Sequence, residues 1–257
     1  MNTALIFDTA LANTKPETMH HKDNYCPFCD TTHLTNILAQ EKSIIWLLNK
    51  YPVLRDTWPT IIIETEHCHS EFSEYPLDHA EHVLTFTLSK WQETIGSKRF
   101  ASVLCFKNHG PMSGGSIRHP HSQIIGLKDY DYHLTMEQKH FDGWLMYEEP
   151  NLQVTLSKEP LIGFSEFNIH FTNQTSIRNL AKTLQDILRY ILREFARFTS
   201  SYNYFFYTMG HDLYIKIVPR YVTPPLFVGY AIPETYDDAR ADRIKSALLP
   251  YLTTASI

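Results

Sequence analysis

The sequence predicts an α+β protein made of two similar halves, and three observations lead there. The chain has 257 residues, enough for one large domain or two small halves around a sizeable core. The order strand, long helix, strand, turn, strand occurs twice along it, which implies an internal duplication. The two copies are unequal, because the second keeps the apolar pattern and lacks the polar residues that carry chemistry in the first. Residues 1–128 are expected to form the first half and 129–257 the second, each an antiparallel sheet with a packed helix.

The elements follow in order. Ser43 to Leu48 and Thr60 to Glu64 are short apolar runs rich in β-branched residues, so strands are expected. Pro76 opens a helix, where its missing N–H costs little, and Ala80, Val83, Leu84, Leu88 and Trp91 recur at helical spacing. Strands follow at Ala101–Phe106 and His121–Gly126. In the second half Phe167, Ile169 and Phe171 alternate with Asn168, His170 and Thr172, a half-buried strand. A helix comes next, its apolar stripe running from Ile177 to Phe195, its other face set by Arg178, Lys182, Gln185, Arg189 and Arg193. Tyr202–Met209 and Asp212–Val218 are two strands joined by a tight Gly210-His211 turn. Residues 127 to 160 join the halves, and a cover over a site is one role open to them.

A formal charge of −5 argues against nucleic acid or an anionic membrane as partner. No stretch approaches the ~20 apolar residues that span a bilayer. The opening Met1–Asp8 has neither a basic region nor a long apolar run, so a secretory leader is not expected and the cytoplasm is the default. Among the four cysteines, Cys105 sits in an apolar strand as a small core residue. Cys68, between His67 and His69, is ambiguous. Cys26 and Cys29, in a Cys-x-x-Cys turn containing Pro27, present two thiolates to one ion.

The most informative stretch is Asn108 to Gln123. A loop of small residues, with Ser113, Gly114, Gly115 and Ser116, leads into His119-Pro120-His121-Ser122-Gln123. Alternate residues of a strand share a face, so His119, His121 and Gln123 project together. Imidazole is a nucleophile able to form a covalent intermediate, and N–H groups of a Gly-rich loop stabilise anionic oxygens. Lys107 and His109 flank Asn108 and point away from it if the strand continues.

This stretch resembles the histidine triad superfamily, in the transferase branch where Gln replaces the third His, near galactose-1-phosphate uridylyltransferase and ADP-glucose phosphorylase. Cys26-Pro27-Phe28-Cys29 and Asn49-Lys50-Tyr51-Pro52 extend the likeness over the first half, and the second half matches weakly. The resemblance implies two tandem histidine-triad-like halves, the second degenerate, equivalent to a fused dimer, so that a monomer suffices and a homodimer is allowed. It implies His121 as nucleophile and Gln123 as an amide donor to a phosphate oxygen. Asn49, Asn108, Ser113, Gly114, Gly115 and Ser116 are the implied substrate-binding residues. A structural zinc ion would be held by Cys26, Cys29 and His119 with a fourth ligand after the second strand. For this ligand the likeness points to His69, with His67 and Cys68 as alternatives.

The implied activity moves a nucleoside monophosphate between a nucleoside diphosphate sugar, or a dinucleotide, and phosphate or a hexose 1-phosphate. A nucleotide-binding protein without turnover and a nucleotide hydrolase are the alternatives. Lys50 stands where uridylyltransferases usually carry Asp, which ranks ADP-linked substrates above UDP-linked ones.

Overall fold

The chain lays down three strands, a helix and two strands, and then does so again. In the computed structural model, which describes residues 4–21 and 24–253, the short helix α1 (Thr9–Ala12) precedes the first set. That set is β1 (Ile37–Glu41), β2 (Ile44–Leu48), β3 (Thr57–Ile63), α2 (Leu77–Gly96), β4 (Ser102–His109) and β5 (His121–Leu127). The second is β6 (Gly143–Glu149), β7 (Leu152–Ser157), β8 (Phe167–Phe171), α3 (Ile177–Glu194), β9 (Tyr202–Met209) and β10 (Asp212–Pro219). Helices α4 (Pro225–Tyr230) and α5 (Asp238–Thr253) follow. Met1 to Thr3, part of the stretch weighed above as a leader, lie outside the described residues.

All ten strands join one antiparallel sheet in the order β1-β2-β3-β5-β4-β9-β10-β8-β7-β6. The order is a palindrome about the β4–β9 seam, so the halves share one sheet where two were expected. Register makes the symmetry concrete. Leu47, Ile61, Gln123 and Phe106 lie in one row on one side of the seam. Phe205, Lys216, Asn168 and Thr155 continue that row on the other side. Directly paired residues point to the same face, so Gln123 and Lys216 are mirror-related positions on one surface.

The opposite face carries the helices. Ala80, Val83, Leu84, Leu88 and Trp91 of α2 are buried against it, as their spacing predicts. Ser176 caps α3 by accepting a hydrogen bond from the Asn179 N–H, and α3 packs against α2 and α5. Gln185, expected on the solvent side of α3, is instead buried and donates to the Phe72 and Tyr75 carbonyls at 2.9 and 2.8 Å.

Residues 127 to 160 form no cover over the first half. Their strands β6 and β7 extend the sheet at its far edge, and a bulge between Leu145 and Tyr147 hides their alternation. No helix among the described residues is long and apolar enough to cross a membrane.

Candidate active site

The strand β5 begins where chemistry concentrates. His121 is buried, and its Nδ1 lies 2.7 Å from the carbonyl oxygen of His119. A carbonyl only accepts, so Nδ1 carries the proton and Nε2 keeps its lone pair. Burial lowers the imidazole pKa to about 4, with the nearby Lys107 charge adding to the shift. The ring is therefore neutral at ordinary pH. His119 obeys the same logic in reverse. It is fully buried, its Nε2 donates to the Thr65 carbonyl at 2.7 Å, and its Nδ1 is left free to bind a metal.

That Nδ1 faces three sulfurs. Cys29 Sγ lies 3.5 Å from it and Cys26 Sγ 3.8 Å, and the ligand atoms of Cys26, Cys29, Cys68 and His119 all lie within 4.8 Å of one another. Zinc bonds of about 2.3 Å to sulfur and 2.0 Å to nitrogen place tetrahedral ligands roughly 3.5–3.8 Å apart, so these residues fit a structural zinc ion. His69, the expected fourth ligand, is exposed and outside the cluster. The segment after β3 is a turn, and the turn directs the side chain of Cys68 inward in its place. Burial and the neighbouring Cys68 and Cys26 thiols push the Cys29 thiol up to about 12. A dication at the centre would reverse that.

The knuckle also touches the candidate nucleophile. Phe28, between the two cysteines, sets its ring edge-on to His121 at 5.3 Å and to His119 at 6.0 Å. Ordering of the Cys-x-x-Cys turn thus orders the wall beside His121.

In front of His121 opens a cavity of about 410 Å³. Of the expected substrate-binding residues, Asn49, Asn108, Gly114, Gly115 and Ser116 line it, together with His121 and Gln123. Ser113 does not line it. Its hydroxyl is turned into the loop, donating to the Gly110 carbonyl at 2.6 Å and accepting from the Gly115 N–H at 3.3 Å. Asn49 uses its Oδ1 to cap its own turn at Tyr51 N, 2.9 Å away. One wall is apolar, from Phe28, Leu34, Leu47, Ile61 and Ile117, and Lys15 and Lys50 bring positive charge to the lining.

Behind β5, on the helix face, lies a buried polar group that the sequence did not reveal. Glu64 accepts from Lys107 Nζ at 2.7 Å, from the Ser122 hydroxyl at 2.5 Å and from the Tyr75 hydroxyl at 3.0 Å. Burial is the largest influence and opposes its charge, but Lys107, Ser122 and Tyr75 together outweigh it and hold the carboxyl below its usual range. Its backbone N–H donates to the Pro120 carbonyl at 3.2 Å, so both neighbours of His121 are fastened to Glu64. Lys107 and His109 do turn away from Asn108, and His109 stacks on Tyr202 at 4.9 Å. Asn203, from the second half, hydrogen bonds Asn108 across the seam. No local sequence signal marks it.

Comparison with known proteins agrees with this architecture. Residues 7–130 match the model of the DUF4931 N-terminal domain, a domain of unknown function, and residues 133–249 match that of the DUF4931 C-terminal domain. A DUF4931 family protein from Bacillus cereus, known from its crystal structure, is 41% identical, with a TM-score of 0.76 over 85% of this chain and 100% of that one. A uridylyltransferase structure is 18% identical, with a TM-score of 0.68 over 89% of this chain and 92% of that one. ADP-glucose phosphorylase from Arabidopsis thaliana, solved with bound ADP-glucose, is 15% identical, with a TM-score of 0.68 over 95% and 94%. At such identities the last two establish a shared fold, the histidine-triad-like architecture that the His-x-His-x-Gln stretch implied. No curated protein matches the sequence.

Proposed function

We propose that this chain, which belongs to the DUF4931 family, is a nucleotidyltransferase that works through a nucleotidyl-histidine. The observation that carries this is His121: a neutral imidazole, its tautomer set by the His119 carbonyl, faces a cavity that also holds Gln123 and the Gly-rich loop.

Nε2 of His121 attacks the α-phosphorus of a nucleoside diphosphate sugar or related dinucleotide. The new P–N bond forms as the bond to the bridging oxygen breaks, and the sugar 1-phosphate leaves with the electron pair. An oxygen of phosphate or of another hexose 1-phosphate then attacks the same phosphorus and restores His121. The Nδ1–H bond to the His119 carbonyl stabilises the positive charge that the ring gains. The Gln123 amide, the N–H groups of Gly114 and Ser116 and the Ser116 hydroxyl donate to phosphate oxygens, while the Gly115 N–H stays with the Ser113 hydroxyl and holds the loop in shape. Asn108 joins this cradle, and Asn49 serves the ribose.

Zinc, held by Cys26, Cys29, Cys68 and His119, would supply a structural tie between the knuckle and β5. The base would lie along the apolar wall. Residues 1–128 supply the chemistry and residues 129–257 complete the fold. ADP-linked donors rank above UDP-linked ones, on the strength of Lys50 beside Asn49.

A panel of ADP-, UDP- and GDP-sugars, scored for phosphate-dependent release of sugar 1-phosphate, tests the proposal. Release with at least one donor, greatest for an ADP-sugar, is expected. Saturable binding without release would replace transfer with a sensing role.

A further inference from the structure

The second half reaches the cavity through a short chain of hydrogen bonds whose direction is forced. Arg220 Nη1 lies 2.7 Å from Asn203 Oδ1. A guanidinium only donates, so the Asn203 oxygen must face Arg220 and its amide nitrogen must face the other way. That nitrogen donates to Asn108 Oδ1 at 2.6 Å and to the Ser113 carbonyl at 3.1 Å. With its oxygen taken, Asn108 has its own N–H group left for the cavity it lines. A flipped Asn108 would instead turn a carbonyl oxygen toward an anionic phosphate.

Asn203 is 1% exposed, so water cannot rescue the reversed arrangement, which would set donor against donor at Arg220. Arg220 is itself fastened, its N–H donating to the Ser201 carbonyl at 2.8 Å and its carbonyl accepting from the Thr199 hydroxyl. Ser201 in turn holds the loop by accepting from the Met112 N–H at 3.0 Å. Gly110, at φ 79°, sits so close that a Cβ there would meet the Ser201 Oγ at 2.4 Å. The start of β9 is therefore the seat of the Gly-rich loop.

We infer that Asn203 and Arg220 are positioning residues: they fix Asn108 as a hydrogen-bond donor and seat the phosphate loop of the opposite half. This deepens the nucleotidyl-transfer proposal and rests on it for the identity of the ligand.

Three variants of the full chain test it: Asn203→Asp, Arg220→Lys and Arg220→Gln. Aspartate is isosteric and still accepts from Arg220, but it cannot donate to Asn108 or Ser113. Lysine remains a pure donor, whereas glutamine offers either polarity. Amide hydrogen exchange is read over residues 110–116, with β7 at the far sheet edge as control, and ADP affinity is measured by calorimetry. In Asn203→Asp, exchange of the loop amides should rise about tenfold, with β7 unchanged and ADP bound at least about tenfold more weakly. Arg220→Lys should stay within about twofold of the parent on both readouts, and Arg220→Gln should follow Asn203→Asp. Parent-like loop exchange in Asn203→Asp, a parallel rise in β7, or equal damage from Lys and Gln at position 220 would overturn the inference. If the parent protein binds none of ADP, UDP and GDP, the nucleotide proposal falls, while the exchange data still decide the seat.

Discussion

Gln123 and Lys216 stand at mirror-related places in one row of one sheet, and their surroundings share almost nothing. Around Gln123 the sheet face opens into a cavity of about 410 Å³. Around Lys216 the same face is filled. Its ammonium is fully buried, 3.1 Å from Glu166 and 2.7 Å from the His140 carbonyl, with the Phe141 ring 5.3 Å away. Phe141 also packs on Tyr214 at 4.5 Å and on Tyr207 at 5.1 Å. The connections explain the contrast. Residues 110–120 separate β4 from β5, long enough to form part of the cavity wall, whereas only Gly210 and His211 separate β9 from β10. Residues 132–142 then fold over the face that the short turn leaves bare. A duplicated sheet is neutral scaffolding here, and loop length decides which copy keeps a site.

The largest difference between the halves is expected at a pair of mirrored residues. Two positions before Gln123 stands His121, and two before Lys216 stands Tyr214. His121→Ala should lower nucleotidyl transfer on the order of a thousandfold or more, while Tyr214→Phe should leave it within about twofold. Steady-state rates with the best donor sugar check both. Comparable losses in the two variants would mean that the halves are not divided as described.

Among the described residues, the cluster that could hold a metal ion lies in the first half. Elemental analysis should find about one zinc per chain. Cys68→Ser should lose it and His69→Ala should keep it, and loss of metal should lower the thermal midpoint because binding free energy here is folding free energy. Zinc retained in Cys68→Ser but lost in His69→Ala would reverse the ligand assignment.

Among the described residues, each half also has one buried Lys–Glu pair, Lys107 with Glu64 and Lys216 with Glu166, on opposite faces of the sheet. Lys216→Met leaves the buried Glu166 charge with only the Leu161, Ile162 and Gly163 N–H groups as partners and should cost about 3–5 kcal/mol. Urea unfolding checks this. Lys107→Met should cost a similar amount and also depress transfer per folded molecule, because Glu64 holds both neighbours of His121. The smallest effect is expected at the loop: Ser116→Ala should weaken ADP binding by roughly 1 kcal/mol, about fivefold.

The sequence was most legible where a short-range period carries the information. His121 and Gln123 share a face because strands alternate, and α2 and α3 declare their buried stripes every third or fourth residue. It was silent where the period breaks or where partners are far apart. The strand β1 is mostly exposed at a sheet edge, so its side chains carry no buried alternation, and β6 is interrupted by a bulge. His69 and Cys68 are adjacent in a turn, where no alternation rule says which points inward. Gln185 reads as a surface residue, yet two carbonyls at the C-terminal side of Phe72 and Tyr75 draw it into the core. Asn203 meets Asn108 only because the seam pairs β4 with β9. Nothing within either segment announces that contact.

His121 is expected to become covalently nucleotidylated, and one measurement addresses this directly. Zinc-loaded protein is incubated with ADP-glucose or UDP-glucose without acceptor phosphate, quenched in alkali, and examined by intact mass and peptide mapping. A gain of one nucleotidyl group per chain is expected on the peptide containing His121, labile to acid, released by added phosphate and absent from His121→Ala. An unmodified chain that nonetheless releases sugar 1-phosphate, or a label that persists in His121→Ala, would contradict it.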